Sequence, residues 1–140
     1  MIVLDTNVVS EAMRAERAPQ VRDWLNAQII STLHITIVTF AELRAGIAIA
    51  PQGRKAVDLD ERFGRMMDLL IGDRILPFDA AAAHAYATGF STARQRGLAV
   101  SAMDGLIAGI CLARKLPIAT RDTGPFEAMG VQVIDPWDTP

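Results

Sequence analysis

Four acidic residues stand where the local pattern of the chain changes. Asp5 ends the apolar run Ile2-Val3-Leu4, and Asp122 follows Pro117-Ile118-Ala119-Thr120-Arg121. Glu42 closes Thr39-Phe40-Ala41-Glu42, and Asp104 closes Ser101-Ala102-Met103-Asp104, each at the head of a helical pattern. A short β-branched run reads as a buried parallel strand, and open α/β sheets bind ligands beyond the carboxyl ends of their strands. Four carboxylates gathered there repel one another unless a cation joins them. An all-oxygen donor set favours Mg²⁺ or Mn²⁺ over zinc. The expectation is one metal centre, with Asp5, Asp104 and Asp122 as the main ligands, direct or through water. Glu42 either ligates or orients an attacking water.

Each acid also has a plainer reading. Asp5 can cap the following helix, Glu42 and Asp104 can be third-position partners in capping boxes, and Asp122 can be a turn residue. Two details favour the metal. Asp104 shares a helix face with Ile107, Ala108 and Cys111, an apolar face on which an unpartnered charge is costly. Glu42 lies over Ala45, Gly46 and Ile49, a small and weakly apolar face expected to be unsolvated. Both sit in first helical turns, where the helix dipole favours anions. His34, His84 and Cys111 have no metal-like spacing and read as packing or surface residues. Serine-nucleophile and glycine-rich phosphate-loop signatures are absent.

The remaining composition sets bounds. A chain of 140 residues is expected to form one domain, residues 1–140, with an ample core. One cysteine excludes an internal disulfide and fits a reducing compartment. No signal peptide and no membrane span is read, so a cytoplasmic protein is expected. A net charge of -2 argues against an extended phosphate-binding surface, though not against a local basic rim.

Alternating apolar runs and helical patterns argue for βαβ units. Strands are expected at Ile2–Leu4, Leu33–Val38, Ile75–Phe78, Pro117–Thr120 and Val131–Ile134. Helices are expected from Thr6, from Pro19, from the Thr39–Glu42 box, through the Leu59, Phe63, Met66, Met67 and Leu70 stripe, from Asp79 to about Arg96 with a stripe of Ala83, Tyr86 and Phe90, and from Ser101 to about Lys115. Residues 121–125 read as a loop, and Asp135-Pro136-Trp137 terminates the fold. Right-handed crossovers give a three-layer α/β/α sandwich.

At this point the chain resembles a known family. Ile2-Val3-Leu4-Asp5-Thr6-Asn7-Val8, Thr39-Phe40-Ala41-Glu42-Leu43, Asp104-Gly105-Leu106-Ile107-Ala108 and Ala119-Thr120-Arg121-Asp122-Thr123 are similar, in order and spacing, to the four motifs of PIN-domain proteins. The resemblance spans nearly the whole chain. It is strongest to the FitB-like branch of the VapC toxins, whose terminal Asn-Pro-Trp resembles Asp135-Pro136-Trp137.

The resemblance implies a parallel five-stranded sheet in order 3-2-1-4-5. It implies a Mg²⁺- or Mn²⁺-dependent endoribonuclease that is the toxin of a type II toxin–antitoxin pair and leaves 5′-phosphate and 3′-hydroxyl ends. Asp5, Glu42, Asp104 and Asp122 match the family's acids. Thr6, Asn7 and Thr120 match polar neighbours that position rather than ligate. Arg44 and Arg121 adjoin two of the acids and are candidates for RNA phosphate contact. A VapB-like antitoxin is implied, docked in a groove of the early helices, for which Val21, Trp24, Leu25, Phe40 and Leu43 are candidates; a homodimer is implied as well. The family's frequent acid or histidine three residues after the fourth acid is Pro125 here, which puts a second metal in doubt. Two other readings compete: a PIN fold that binds without cutting, and a phosphorylatable receiver-like module with Asp79 as acceptor and Lys115-Leu116-Pro117 nearby.

Overall fold

The computed structural model describes residues 1–139. Its strands are β1 (Ile2–Leu4), β2 (Leu33–Thr36), β3 (Ile75–Leu76), β4 (Ile118–Ala119) and β5 (Val133–Ile134). They form one sheet in order β3-β2-β1-β4-β5, and every neighbouring pair is parallel. The expected strand order is therefore present, with β1 central and the winding reversing beside it. The helices are α1 (Thr6–Met13), α2 (Pro19–Asn26), α3 (Ile37–Ile49), α4 (Arg54–Met66), α5 (Ala80–Gln95), α6 (Ala102–Arg114) and α7 (Thr123–Met129), and a π-helical turn spans Met67–Ile71. Among the described residues no helix is long and apolar enough to cross a membrane.

Strand alternation divides the core in two. Val3 and Ile118 point to one face, where they pack with Ile107, Ile110 and Cys111 of α6 and Phe126 and Met129 of α7. Leu4, Leu33, Ile35 and Ala119 point to the other, against Val8 and Val9 of α1, Val21 and Leu25 of α2, and Phe63 of α4. Val21 and Leu25 are thus core residues, not a docking surface. Phe40 also turns inward, edge-on to Phe63 with centroids 5.5 Å apart.

Several boundaries differ from expectation, each for a local reason. β2 stops at Thr36, whose hydroxyl accepts from Thr39 N at 3.1 Å, so α3 begins at Ile37, the N-cap is Thr36 rather than Thr39, and Glu42 lies in the second turn instead of the first, beyond the strongest reach of the helix dipole. Residues 123–129 are helical, not a loop. Pro125 falls in the first turn, where a missing N–H costs nothing, and Gly130 closes the helix at φ 90°. The buried positions of α5 are Ala82, Gly89 and Ala93, and Ala83 is exposed. Asp79 caps that helix by accepting from Ala82 N at 2.9 Å.

α5 and α6 lie unusually close. A Cβ on Gly109 would meet Ala82 O and Tyr86 Cβ at 2.8 Å, and one on Gly105 would meet Tyr86 Cε2 at 2.7 Å. Two glycines spaced four apart let one helix settle into the other. That contact fixes the first turn of α6, which carries Asp104.

Candidate metal centre at the carboxyl end of the sheet

The strand register sets the floor of the site. Leu4 pairs with Ala119, so β1 and β4 end level, and Asp5 N donates to Ala119 O at 3.0 Å. The next residue of each strand, Asp5 and Thr120, therefore sits side by side. Thr120 Oγ1 donates to Asp5 Oδ2 at 2.8 Å. The same hydroxyl oxygen accepts from Asn7 Nδ2 at 3.0 Å and from Asp122 N at 3.1 Å. One hydrogen given and two lone pairs filled saturate a threonine hydroxyl. Asn7 adds a second donor to Asp5 Oδ2 at 3.3 Å and accepts from Arg121 N at 3.2 Å. Asp5 Oδ1 accepts from Thr6 N at 2.8 Å, capping α1.

A second branch reaches α3. Thr6 Oγ1 donates to Glu42 Oε1 at 2.9 Å and lies 3.4 Å from Thr39 Oγ1, which in turn lies 3.3 Å from Thr36 Oγ1. Thr36 and Thr39 are fully buried. By sequence these two look like no more than a strand residue and a helix cap. Their spacing of three, ahead of an acid, was the available signal for a buried hydroxyl relay.

Asp5 is 4% exposed. Burial raises its carboxyl to about 6; hydrogen bonds from Thr120 and Thr6 oppose the rise, and the negative charges of Asp104 and Glu42 add to it. Those two acids thus act on Asp5 from α6 and α3. Asp104 is half-buried above Ile107, Ala108 and Cys111, all sealed in the core. Glu42 is half-buried, but Ala45, Gly46 and Ile49 beneath it are exposed, so its face opens onto a groove instead of being unsolvated. Asp122 is tied in through its backbone and its carboxylate is exposed. All four acids belong to the same end of the sheet. Among the described residues no three His, Cys, Asp or Glu side chains are already drawn into a metal-holding group. The donor set nevertheless fits a hard divalent cation. It is all oxygen, and its central carboxylate is buried among like charges that a bound cation would offset.

The neighbouring arginines differ. Arg44 pairs with Asp60 at 2.7 Å and lies over Phe63, bracing α4 against α3. Arg121 lies over the Trp137 ring at 5.2 Å. Neither histidine enters the site: His34 Nδ1 is 3.0 Å from Thr32 O, and His84 is exposed. Cys111 is buried and its thiol is pushed up to about 12 by that burial, which suits packing and not attack.

From Thr6 and Glu42 a groove of about 610 Å³ runs between α1, α3 and α4. Leu43, Gly46, Ile47, Met13 and Leu59 make its apolar wall, with Arg14, Lys55 and Arg62 along it. Of the expected groove residues only Leu43 lies here; Trp24 borders a separate cavity with Pro19 and Thr139.

Comparison with known proteins agrees with this geometry. Residues 2–131 match the PIN domain model. The chain is 43% identical over 139 residues to a VapC ribonuclease, Y4jK, of Sinorhizobium fredii, covering 99% of each. It is 42% identical over 137 residues to the toxin FitB of Neisseria gonorrhoeae, covering 98% of this chain and 99% of that one. Against the crystal structure of FitAcB from the same organism the TM-score is 0.91 at 41% identity, over 99% of this chain and 100% of that one. On motif order, sheet topology and these matches together, the chain belongs to the PIN-domain family, in its FitB-like VapC branch.

Proposed function

We propose that this chain, one PIN domain over residues 1–140, is a divalent-metal-dependent endoribonuclease and the toxin of a type II toxin–antitoxin pair. The observation that carries the reading is the buried Asp5 carboxylate, held by Thr120 and Asn7 and raised to about 6 beside Asp104 and Glu42. Such a carboxylate is costly to maintain without a counter-charge. The relatives named ribonuclease and toxin support the reading.

Asp5, Asp104, Asp122 and Glu42 would hold the cation, Mg²⁺ or Mn²⁺. A bound divalent cation supplies an acidified water and a counter-charge for the phosphate. The chain's own residues do the rest. Thr120 and Asn7 lock the Asp5 carboxylate in one orientation, so no reorganisation is needed when substrate arrives. Thr6 holds Glu42 Oε1, leaving the other oxygen of that carboxylate to ligate or to orient the attacking water. Products would carry 5′-phosphate and 3′-hydroxyl ends.

The apolar groove ending at Glu42 and Thr6 fits an amphipathic antitoxin helix, and structures of FitAB and VapBC complexes are among the similar folds. A VapB-like antitoxin, a homodimeric toxin and a cytoplasmic location complete the proposal. Asp79 is spent on capping α5, which disfavours the phosphoacceptor role. The deciding assay uses protein purified free of antitoxin, structured RNA, and Mg²⁺, Mn²⁺ or chelator. Cleavage should need the metal and fall at least about a hundredfold in Asp5→Asn, a loss in keeping with removal of one electrostatic group. Unchanged cleavage by that variant removes the assignment.

A further inference from the structure

We propose that Trp137 is a positioning residue of the same site. Its indole presets the Arg121 guanidinium to meet an RNA phosphate beside the scissile bond, an inference that rests on the ribonuclease reading.

Both ends of this contact are fixed. The Arg121 backbone is held by Asn7 Oδ1 at 3.2 Å, between Thr120 and Asp122, so its side chain departs from the wall of the carboxylate site. Trp137 is half-buried and packed on the core of the α1–α2 face. The last turn is tied by Asp135 Oδ1, which accepts from Trp137 N at 2.9 Å, and by Thr139 Oγ1, which donates to Pro136 O at 2.9 Å. The C-terminal turn thus delivers an aromatic face to one arginine.

The chemistry of stacking explains why this matters. A guanidinium lying over a ring is steadied through its face, while its N–H donors lie in its plane and stay unspent. Arg44, the other arginine adjoining a site acid, donates through Nη1 to Asp60 and is held against α4 by that pair. Arg14 and Arg62, near the groove, are paired with Glu11 and Asp58. Among the described residues Arg121 has no carboxylate partner, although Asp122 is its neighbour in the chain. It is exposed, and among the described residues its guanidinium donors carry no hydrogen bond. The chain carries a net charge of -2 and gathers four acids at this end. A polyanion approaching such a centre needs one cation that does not collapse onto the acids, and stacking supplies that restraint.

The test uses the full chain free of antitoxin and a short fluorescent single-stranded RNA that the wild type cleaves with Mg²⁺. Single-turnover rates are measured against enzyme concentration at several salt concentrations, with thermal midpoints alongside. Arg121→Gln and Trp137→Ala should each raise the half-saturating concentration about tenfold, the worth of a charged hydrogen bond. Their maximal rates should stay within about twofold, because no reacting group is lost. The salt slope of log affinity should flatten by about 0.7, one single-strand phosphate. Trp137→Phe keeps an aromatic face and should behave as wild type. Equal half-saturation and equal slope in all four proteins would overturn the proposal. So would a Trp137→Ala effect confined to midpoint and maximal rate, since the turn would then be a brace only, and so would a loss seen only in antitoxin binding. Wild-type protein that binds Mg²⁺ but leaves RNA intact would instead refute the ribonuclease reading beneath it.

Discussion

Thr120 and Asp5, 115 positions apart in the chain, share a buried hydrogen bond of 2.8 Å in which the hydroxyl donates to the carboxylate. The hydroxyl also accepts from Asn7 and Asp122. Replacing Thr120 by valine keeps the shape and removes one hydrogen bond from each of Asp5, Asn7 and Asp122, leaving Asp5 Oδ2 with the longer bond from Asn7 alone. Metal-free stability should fall by about 1–3 kcal/mol, the cost of unsatisfied buried polar atoms. RNA cleavage should fall by more than about tenfold as Asp5 loses its orientation. Thr120→Ser should restore most of both. Urea titration and initial rates measure the pair.

The raised Asp5 carboxyl makes a prediction about pH. Its folded value, about 6, lies above the ordinary 3.8, so the unfolded chain gives up this proton more readily. The metal-free fold is therefore favoured below about pH 4, and that advantage is lost as pH rises through 6. At pH 7 the loss is on the order of 2–3 kcal/mol. Relative to Asp5→Asn, wild-type protein in chelator should lose thermal stability between pH 4 and 7. Adding Mg²⁺ at about a hundred times its dissociation constant should return about 2.7 kcal/mol at pH 7, and little in the variant. Parallel pH profiles for the two proteins would contradict this.

Close helix packing gives a third. Gly109→Ala places a methyl 2.8 Å from the Ala82 carbonyl oxygen and from Tyr86 Cβ. Neither atom can swing aside, so α6 must shift. A loss of about 1–3 kcal/mol is expected, together with slower RNA cleavage, because Asp104 rides on the same helix. Gly64→Ala, on α4 with open space around it, should be neutral or stabilising by about 0.4–1 kcal/mol. Differential scanning calorimetry distinguishes the two.

The groove gives a fourth. Gly46 faces it, and nothing lies within 4 Å of a Cβ placed there. Gly46→Trp should fill the groove while improving local helix propensity. Antitoxin affinity should drop at least about tenfold, with the thermal midpoint unchanged or higher. Undiminished antitoxin binding by calorimetry would place the partner elsewhere.

The sequence made the sheet order and the four acids readable for different reasons. Asp5 is conspicuous because a β-branched run stops at it, and Ala119-Thr120 repeats that pattern one strand over. Resemblance to the PIN motifs supplied the order. α7 escaped notice because Thr123-Gly124-Pro125 carries turn chemistry, and a proline in a first helical turn reads the same as one in a loop. Phe126 and Met129, three apart ahead of Gly130, were the quieter helical signal. The Glu42 face was misjudged for another reason. Small residues at Ala45 and Gly46 fit a close helix contact and an open groove equally well, and only the placement of α4 chooses between them. The spacing of Thr36 and Thr39 ahead of Glu42 is only a faint signal for the Thr6–Thr39–Thr36 relay, because hydroxyl partners depend on rotamers and on which strand exit lies beside which helix.

The pairing of Asp5 with Thr120 also bears on when the proposed nuclease would first become active in the cell that makes it. A growing chain on the ribosome carries Asp5 from the outset but lacks its Thr120 partner, and with it the proposed site, until β4 emerges and slots beside β1, nearly at the end of synthesis. Contacts spanning that much of the chain form slowly, leaving an interval in which the proposed site is not yet assembled. A chain truncated ahead of Ile118 should never acquire cleavage, however long it is left to fold, and an RNA assay of that truncation beside the full chain checks this.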